Sequence, residues 1–172
     1  MLKRQIFGRA GFQLLRRRIL LTVQSRPVGN GLRAGITIRG VAIKYEWRGD
    51  FDNASLDALH ADGFGTIPVA RTDWRARVEY HSLGWVCAWQ DGVLSGFVNV
   101  GWDGGAHAFI LDTVVARDRR SRGVGAALVA VAVEEARAAK CEWLHVDFEE
   151  HLRSFYFDAC GFTETSAGLI AL

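Results

Sequence analysis

Cysteine is scarce and unpaired in this 172-residue chain: Cys87, Cys141 and Cys160 form no Cys-X-X-Cys and no spacing with histidine that would hold a metal. That excludes a disulfide framework and a zinc module, and leaves each cysteine to read as a small buried hydrophobe in a reducing compartment. No apolar stretch approaches the roughly 20 residues a membrane helix needs. The longest, Ala126–Val133, is followed at once by Glu134 and Glu135. A soluble, cytoplasmic protein without metal or membrane partner is expected. A nucleotide P-loop, Gly-X-X-X-X-Gly-Lys-Ser/Thr, is also missing, and no internal repeat is present.

Acid is absent from the first quarter. Residues 1–45 hold ten of the 21 Lys and Arg and none of the 19 Asp and Glu, so the remainder carries eleven basic against nineteen acidic residues, a net of −8. Residues 1–40 therefore read as a basic, disordered extension to a domain spanning 41–172. A misassigned start with Val41 as the true first residue, a basic arm, an anchor and a targeting segment are the readings open for it. Its scattered cations lack interleaved aromatics and any DNA-reading motif, which argues against nucleic acid as the partner.

From Val41 the pattern is that of one mixed α/β domain. "VAIKYEW" (41–47) reads as a strand, Asp52 or Asn53 caps a helix carrying Leu56 and Leu59, and Thr72 or Asp73 caps a second helix to about Ser82. "GWVCAWQDGVLSGFVNVGW" forms two strands around Asp91-Gly92, a dipeptide suited to a tight hairpin. "HAFILDTVVA" (107–116) is nearly all apolar and so central, covered on both faces. Helix follows to about Lys140, strand over 142–148, a helical stretch stopping at Gly161, and one or two short strands in the tail "GFTETSAGLIAL".

The chemistry lies in "DRRSRGVGAAL" (118–128), between the end of the central strand and the start of a helix. Gly123 and Gly125 let backbone N–H groups approach a ligand, the helix start is electropositive, and Arg117, Arg119, Arg120 and Arg122 add full charges. Together they describe a pocket for phosphate or pyrophosphate. A dinucleotide fingerprint is incomplete, since Leu128 stands where its third glycine would be.

Arg120-Ser121-Arg122-Gly123-Val124-Gly125 matches Arg/Gln-X-X-Gly-X-Gly/Ala, the signature of the GNAT superfamily of N-acyltransferases. "LDTVVARDRRSRGVGAALV" and "CEWLHVDFEEHLRSFYFDACGF" resemble that family's cofactor segment and the strand and helix after it, so the resemblance covers about 41–172. It implies a mixed, α+β-like α/β fold with a central, mostly antiparallel sheet of six to seven strands. The fourth and fifth strands of the domain (107–116 and 142–148) splay apart, and about four helices flank the sheet. It implies an acetyl-CoA-dependent N-acetyltransferase. The pantetheine arm would pair with backbone of Val114, Val115 and Ala116, and the pyrophosphate would be held by Arg120, Ser121, Arg122, Gly123, Val124, Gly125 and Ala126. An amine attacks the thioester directly.

The chain departs from the family where the sulfur is served. The usual register puts asparagine at 150 and tyrosine at 157; here Glu150 and Phe157 stand there, with Tyr156 one place earlier. One residue turns a side chain by about 100° around a helix. Tyr156 therefore serves as general acid only if the helix starts differently or bulges, and otherwise as a packing residue. Asp112, an ionisable group inside an apolar strand, is the candidate base, with a purely structural role as its alternative. Trp102, Asp103, His107 and Asp147 are acceptor-side candidates, and the acidic surroundings favour a cationic amine, small or peptidic. Trp85 and Trp89 read mainly as core. The competing readings are a non-catalytic acyl-CoA-binding module and a nucleic-acid-associated protein acting through its arm. A homodimer is left open.

Overall fold

A computed structural model of the chain describes residues 33–38, 41–65 and 72–172. Six strands form one sheet: β1 (Arg33–Ile38), β2 (Val41–Trp47), β3 (Ser82–Gln90), β4 (Val93–Trp102), β5 (His107–Val115) and β6 (Trp143–Val146), neighbouring one another in that order. Every pair is antiparallel except β5 with β6, which is parallel. The helices are α1 (Asn53–Phe64), α2 (Trp74–His81) and α3 (Val124–Ala138), followed by a helical segment made of a 3-10 turn (Glu150–Leu152) and a π-turn (Phe155–Ala159).

The local chemistry accounts for these bounds. Of the two residues that could cap α1, Asp52 does so, accepting from the Ser55 amide at 2.8 Å. Asp73 caps α2 through the Ala76 amide at 3.1 Å. Asn53 ties the two helix starts together, donating to Asp73 at 3.0 Å and accepting from the Arg75 amide at 2.9 Å. Asp91 and Gly92 both take positive φ (52° and 78°), the primed turn a two-residue hairpin requires.

The two faces of the sheet are separately covered. Against α3 lie Ile43, Tyr45, Val86, Ala88, Val98, Val100, Ala108 and Ile110 with Leu128 and Ala132. Against α1 and α2 lie Trp85, Cys87, Phe97 and Val114 with Leu56, Leu59, Trp74 and Val78. Trp85 is core as expected, its Nε1 donating to Gly49 O at 2.7 Å. No helix among the described residues is long and apolar enough to cross a membrane, and no group of three metal-ligating side chains is found among them.

Two expectations change. The strands assigned to the tail do not form: residues 163–172 are exposed without secondary structure, and Arg153 donates to Glu164 at 2.7 Å. The sixth strand instead comes from Arg33–Ile38, which pairs with β2 along its whole length, so disorder does not extend over those six residues and the boundary at Val41 runs through a hairpin. Residues 1–32, and with them most of the basic extension, lie outside the described residues.

Candidate functional site

The site begins where β5 and β6 part. They pair over four steps, His107 with Trp143 through Ile110 with Val146, after which β6 ends and β5 continues from Leu111 to Val115. That leaves an open edge on a strand in the middle of the molecule. Along it, residues alternate between the two neighbours. Ala116 N–H donates to Ser95 O of β4 at 3.0 Å, and Val114 pairs with Phe97, so both are committed to β4. Of the three expected backbone partners for an extended ligand, Val115 is the one whose peptide groups turn away from β4, its carbonyl accepting from Arg120 Nε at 3.1 Å.

The loop after β5 is a chain of special conformations. Ser121 and Gly123 take φ of 58° and 82°, and Gly123 caps α3 without a side chain. The first intrahelical acceptor used is Gly123 O, by Ala127 N at 3.0 Å, so the amides of Val124, Gly125 and Ala126 have no helical partner and point out of the helix start. Val124 contributes its amide alone, its side chain being 1% exposed in the core.

The loop arginines divide into two groups. Arg117 bonds Asp62 O through Nε at 2.7 Å, and Arg120 bonds Val115 O at 3.1 Å and Gly63 O at 2.7 Å. Both therefore neutralise the carbonyl end of α1 and pin the loop to it. Gly63 makes that approach close: a Cβ there would sit 2.2 Å from Val114 Cγ2. Arg119 pairs with neighbouring Asp118 at 3.3 Å. Arg122 alone of the four makes no hydrogen bond or ion pair with a described residue. Arg120 thus has Nε and Nη2 engaged by backbone oxygens, while Arg122 makes no such contact with a described residue.

Below the opening, on the α3 face, Tyr156 is 5% exposed among Phe148, Phe155 and Phe162. Burial pushes its phenol up, with the Thr113 hydroxyl beside it partly offsetting this, so it is protonated at neutral pH. The register puzzle resolves in the π-turn, where Cys160 N–H reaches back five residues to Phe155 O at 3.0 Å. The wider turn brings Tyr156 inward toward Thr113 of β5, while Phe157 stays half-buried, edge-on to Phe148 and under the Arg153 guanidinium, 4.7 Å from its ring centre. Glu150, at the other departure, is exposed in the 3-10 turn.

On the opposite face sits Asp112. Asn99 pairs with Leu111 and Phe97 with Val114, so Asp112 and Thr113 together oppose Val98, a β-bulge with Asp112 at φ 53°. Aspartate tolerates that conformation better than the Val or Ile around it. The carboxylate is 15% exposed and meets Asn99 Nδ2 at 3.3 Å, Arg77 Nη2 at 3.7 Å and His60 Nε2 at 3.7 Å. Ser82 Oγ completes the group by donating to Asn99 Oδ1 at 2.6 Å. Burial acts to raise the Asp112 pKa, but the facing His60 imidazole, the Arg77 charge and the Asn99 amide outweigh it and hold the group below the usual carboxylate range.

The remaining acceptor-side candidates lie elsewhere. Asp103 builds its own turn, accepting from the Gly105 amide at 2.7 Å and the His107 amide at 3.2 Å, while Trp102 Nε1 donates to Gly105 O at 2.9 Å. His107 Nδ1 meets His145 Nε2 at 2.8 Å, and Phe109 stacks on His145 with centroids 4.9 Å apart. His107 is five residues from Asp112, roughly 16 Å along an extended strand. These residues shape the far end of β5, not the opening. Asp147, just past the last β6 pair, is at the opening and its charge is felt by Tyr156. His60, Arg77, Asn99 and Thr113 carried no sequence signal, being single polar residues on elements far apart in the chain.

The model of the acetyltransferase (GNAT) family matches residues 43–162. No curated protein sequence matches. Among solved structures, a glucosamine-6-phosphate N-acetyltransferase from Arabidopsis thaliana is 15% identical with a TM-score of 0.61, over 76% of this chain and 97% of its own. An aminoglycoside N-acetyltransferase, AAC(6')-Iy, solved with CoA, is 19% identical with a TM-score of 0.61, over 80% of this chain and 98% of its own. A GNAT acetyltransferase from Brucella melitensis, solved with acetyl-CoA, is 17% identical with a TM-score of 0.52, over 66% and 80%. These likenesses establish the fold, and the family match goes further.

Proposed function

Because the chain belongs to the GNAT family of acetyltransferases, we propose that it transfers the acetyl group of acetyl-CoA to the amine of an acceptor by direct attack on the thioester. The observation that carries this reading is the parting of β5 from β6 beside a glycine-capped helix start, with a phenol on one face and a carboxylate on the other. The pyrophosphate takes the amides of Gly123, Val124, Gly125 and Ala126, with Ser121 in the same turn and Arg122 as the cation. The pantetheine lies along the open edge at Val115, as an added strand would.

Catalysis then needs few parts. Holding amine and thioester together supplies most of the acceleration. The nitrogen lone pair forms the bond to the carbonyl carbon, the C–S bond breaks, and Tyr156 gives its proton to the departing sulfur. Asp112 serves the acceptor side, where its charge favours a cationic amine. Asp147 stands at the mouth, and Trp102, Asp103 and His107 form an outer rim. Release of CoA thiol that requires both acetyl-CoA and an added amine tests the reading. Acetyl-CoA binding without amine-dependent release from a broad amine panel would instead support a binding module.

A further inference from the structure

The carboxylate in the bulge is poorly suited to take a proton itself. It is held in its charged form by Arg77, Asn99 and His60 together. The imidazole facing it is differently placed. His60 lies on α1 with the Trp74 and Phe64 rings each 4.6 Å from its own, so neighbouring aromatics restrict its rotation. Its Nε2 is buried, 3.7 Å from Asp112 Oδ1, and has no hydrogen-bond partner. An orphaned buried nitrogen costs about 1–3 kcal/mol. That cost falls when Nε2 carries the proton, which then faces the carboxylate 3.7 Å away, beyond hydrogen-bond length but close enough for charge attraction. The tautomer so selected leaves the lone pair on Nδ1, which makes no hydrogen bond to a described residue, in a side chain that keeps 21% exposure.

Asp112 lies where β5 runs on past β6. Asp112 is next in sequence to Thr113, beside which Tyr156 stands on the other face. Resting on the acetyl-transfer reading above, we propose that His60 is the base that deprotonates the acceptor amine, and that Asp112 is the positioning residue that fixes its tautomer. The protons balance. In becoming an amide, an ammonium nitrogen loses two protons: one ends on the sulfur, donated by Tyr156 and restored to it, and one passes to His60 Nδ1 and then to water. The charged groups around the imidazole are Asp112 from β5, Arg77 from α2 and, on α1 itself, Asp57, which accepts from Trp74 Nε1 at 2.5 Å.

The test is a pH profile of kcat for amine-dependent CoA release, in the native protein and in His60→Gln, with acetyl-CoA affinity measured by calorimetry on both. The expected result is a 10²–10⁴-fold, order-of-magnitude fall in kcat, loss of the limb that declines toward acid, unchanged acetyl-CoA affinity, and partial rescue by added imidazole. Asp112→Asn should shift that limb without removing it. His60→Gln retaining kcat within about threefold with the same limb overturns the base assignment alone. A native protein that binds acetyl-CoA yet releases no CoA with any amine overturns the acetyl-transfer reading and this proposal with it. If His60→Gln loses acetyl-CoA binding, nitrogen NMR of the native imidazole decides: protonated Nε2 and bare Nδ1 at neutral pH uphold the proposal, and the reverse tautomer overturns it.

Discussion

The two faces of β5 are built in opposite ways. Toward α3, the strand presents Thr113 and Val115 to a loop, a helix start and an aromatic cluster that all lie C-terminal to it, within residues 113–162. Toward α1 and α2, it presents Asp112 to partners from three different elements: His60, Arg77 and Asn99. The first face is local in the chain, made of backbone amides, glycine and an aromatic cluster. The second is assembled by tertiary packing from single polar side chains. If the proposed roles hold, the cofactor side rests on one contiguous stretch of chain and the acceptor side on packing between distant ones.

The sharpest way to break that contrast is at Gly125. A Cβ there would lie 3.1 Å from the Phe155 ring, and a glutamate would put a negative charge among the free amides. Gly125→Glu should remove two or more charge-assisted hydrogen bonds to pyrophosphate, about 3–6 kcal/mol or a 10²–10⁴-fold loss of affinity. Calorimetric titration of acetyl-CoA reads it. The acceptor side should be untouched, so the thermal stability conferred by the Asp112 group should persist.

Tyr156→Phe should do the reverse. It removes a hydroxyl and almost no volume, so acetyl-CoA should bind as before while kcat falls by about 10²-fold. Burial raises the phenol pKa, so the native rate should not begin to lose its proton donor until well into the alkaline range. A variant as active as the native protein would make Tyr156 a packing residue and return the sulfur's proton to water.

How much of this was readable in the sequence follows the same division. The loop and the helix behind it were legible as conformation, because a short motif dictates the geometry of adjacent backbone groups. Tyr156 was legible as a residue but not as a position, since the π-turn that rotates it depends on packing between Phe148, Phe155 and Phe162. The acceptor side could not be read. Asp112 stood out by its apolar neighbours, but nothing in "NASLDALHADGF" or "WRARVEYH" marks His60 or Arg77 as its partners. The hairpin of Arg33–Ile38 with β2 was hidden by the basic composition around it.

Asp112→Asn tests the acceptor side as a structural unit. The native carboxylate is depressed, so its contribution to stability is present above the unfolded value of about 3.9 and is lost as pH falls through the lower folded value. The asparagine variant lacks that contribution at every pH. The difference between the two should be about 1–2 kcal/mol at neutral pH and should shrink only in strong acid. Denaturant titrations at a series of pH values measure it. A difference that persists undiminished into strong acid would remove the carboxylate charge as its cause.

The smallest effects distinguish two arginines that the motif treats alike. Arg120 is engaged with Val115 O and Gly63 O, and Arg122 with no described residue. Arg120→Ala should therefore cost about 1 kcal/mol of stability, lowering Tm by about 2–4 °C. Its effect on the salt dependence of acetyl-CoA binding should be slight. Arg122→Ala should leave Tm unchanged and weaken acetyl-CoA by about 1 kcal/mol, roughly fivefold, an effect that fades as salt screens the exposed charge. If both variants behave as Arg122→Ala is expected to, Arg120 releases α1 when the cofactor arrives, and the two faces of β5 are coupled through that side chain. If they separate as stated, the loop is riveted to α1 in the free and bound protein alike, and the cofactor side is preformed.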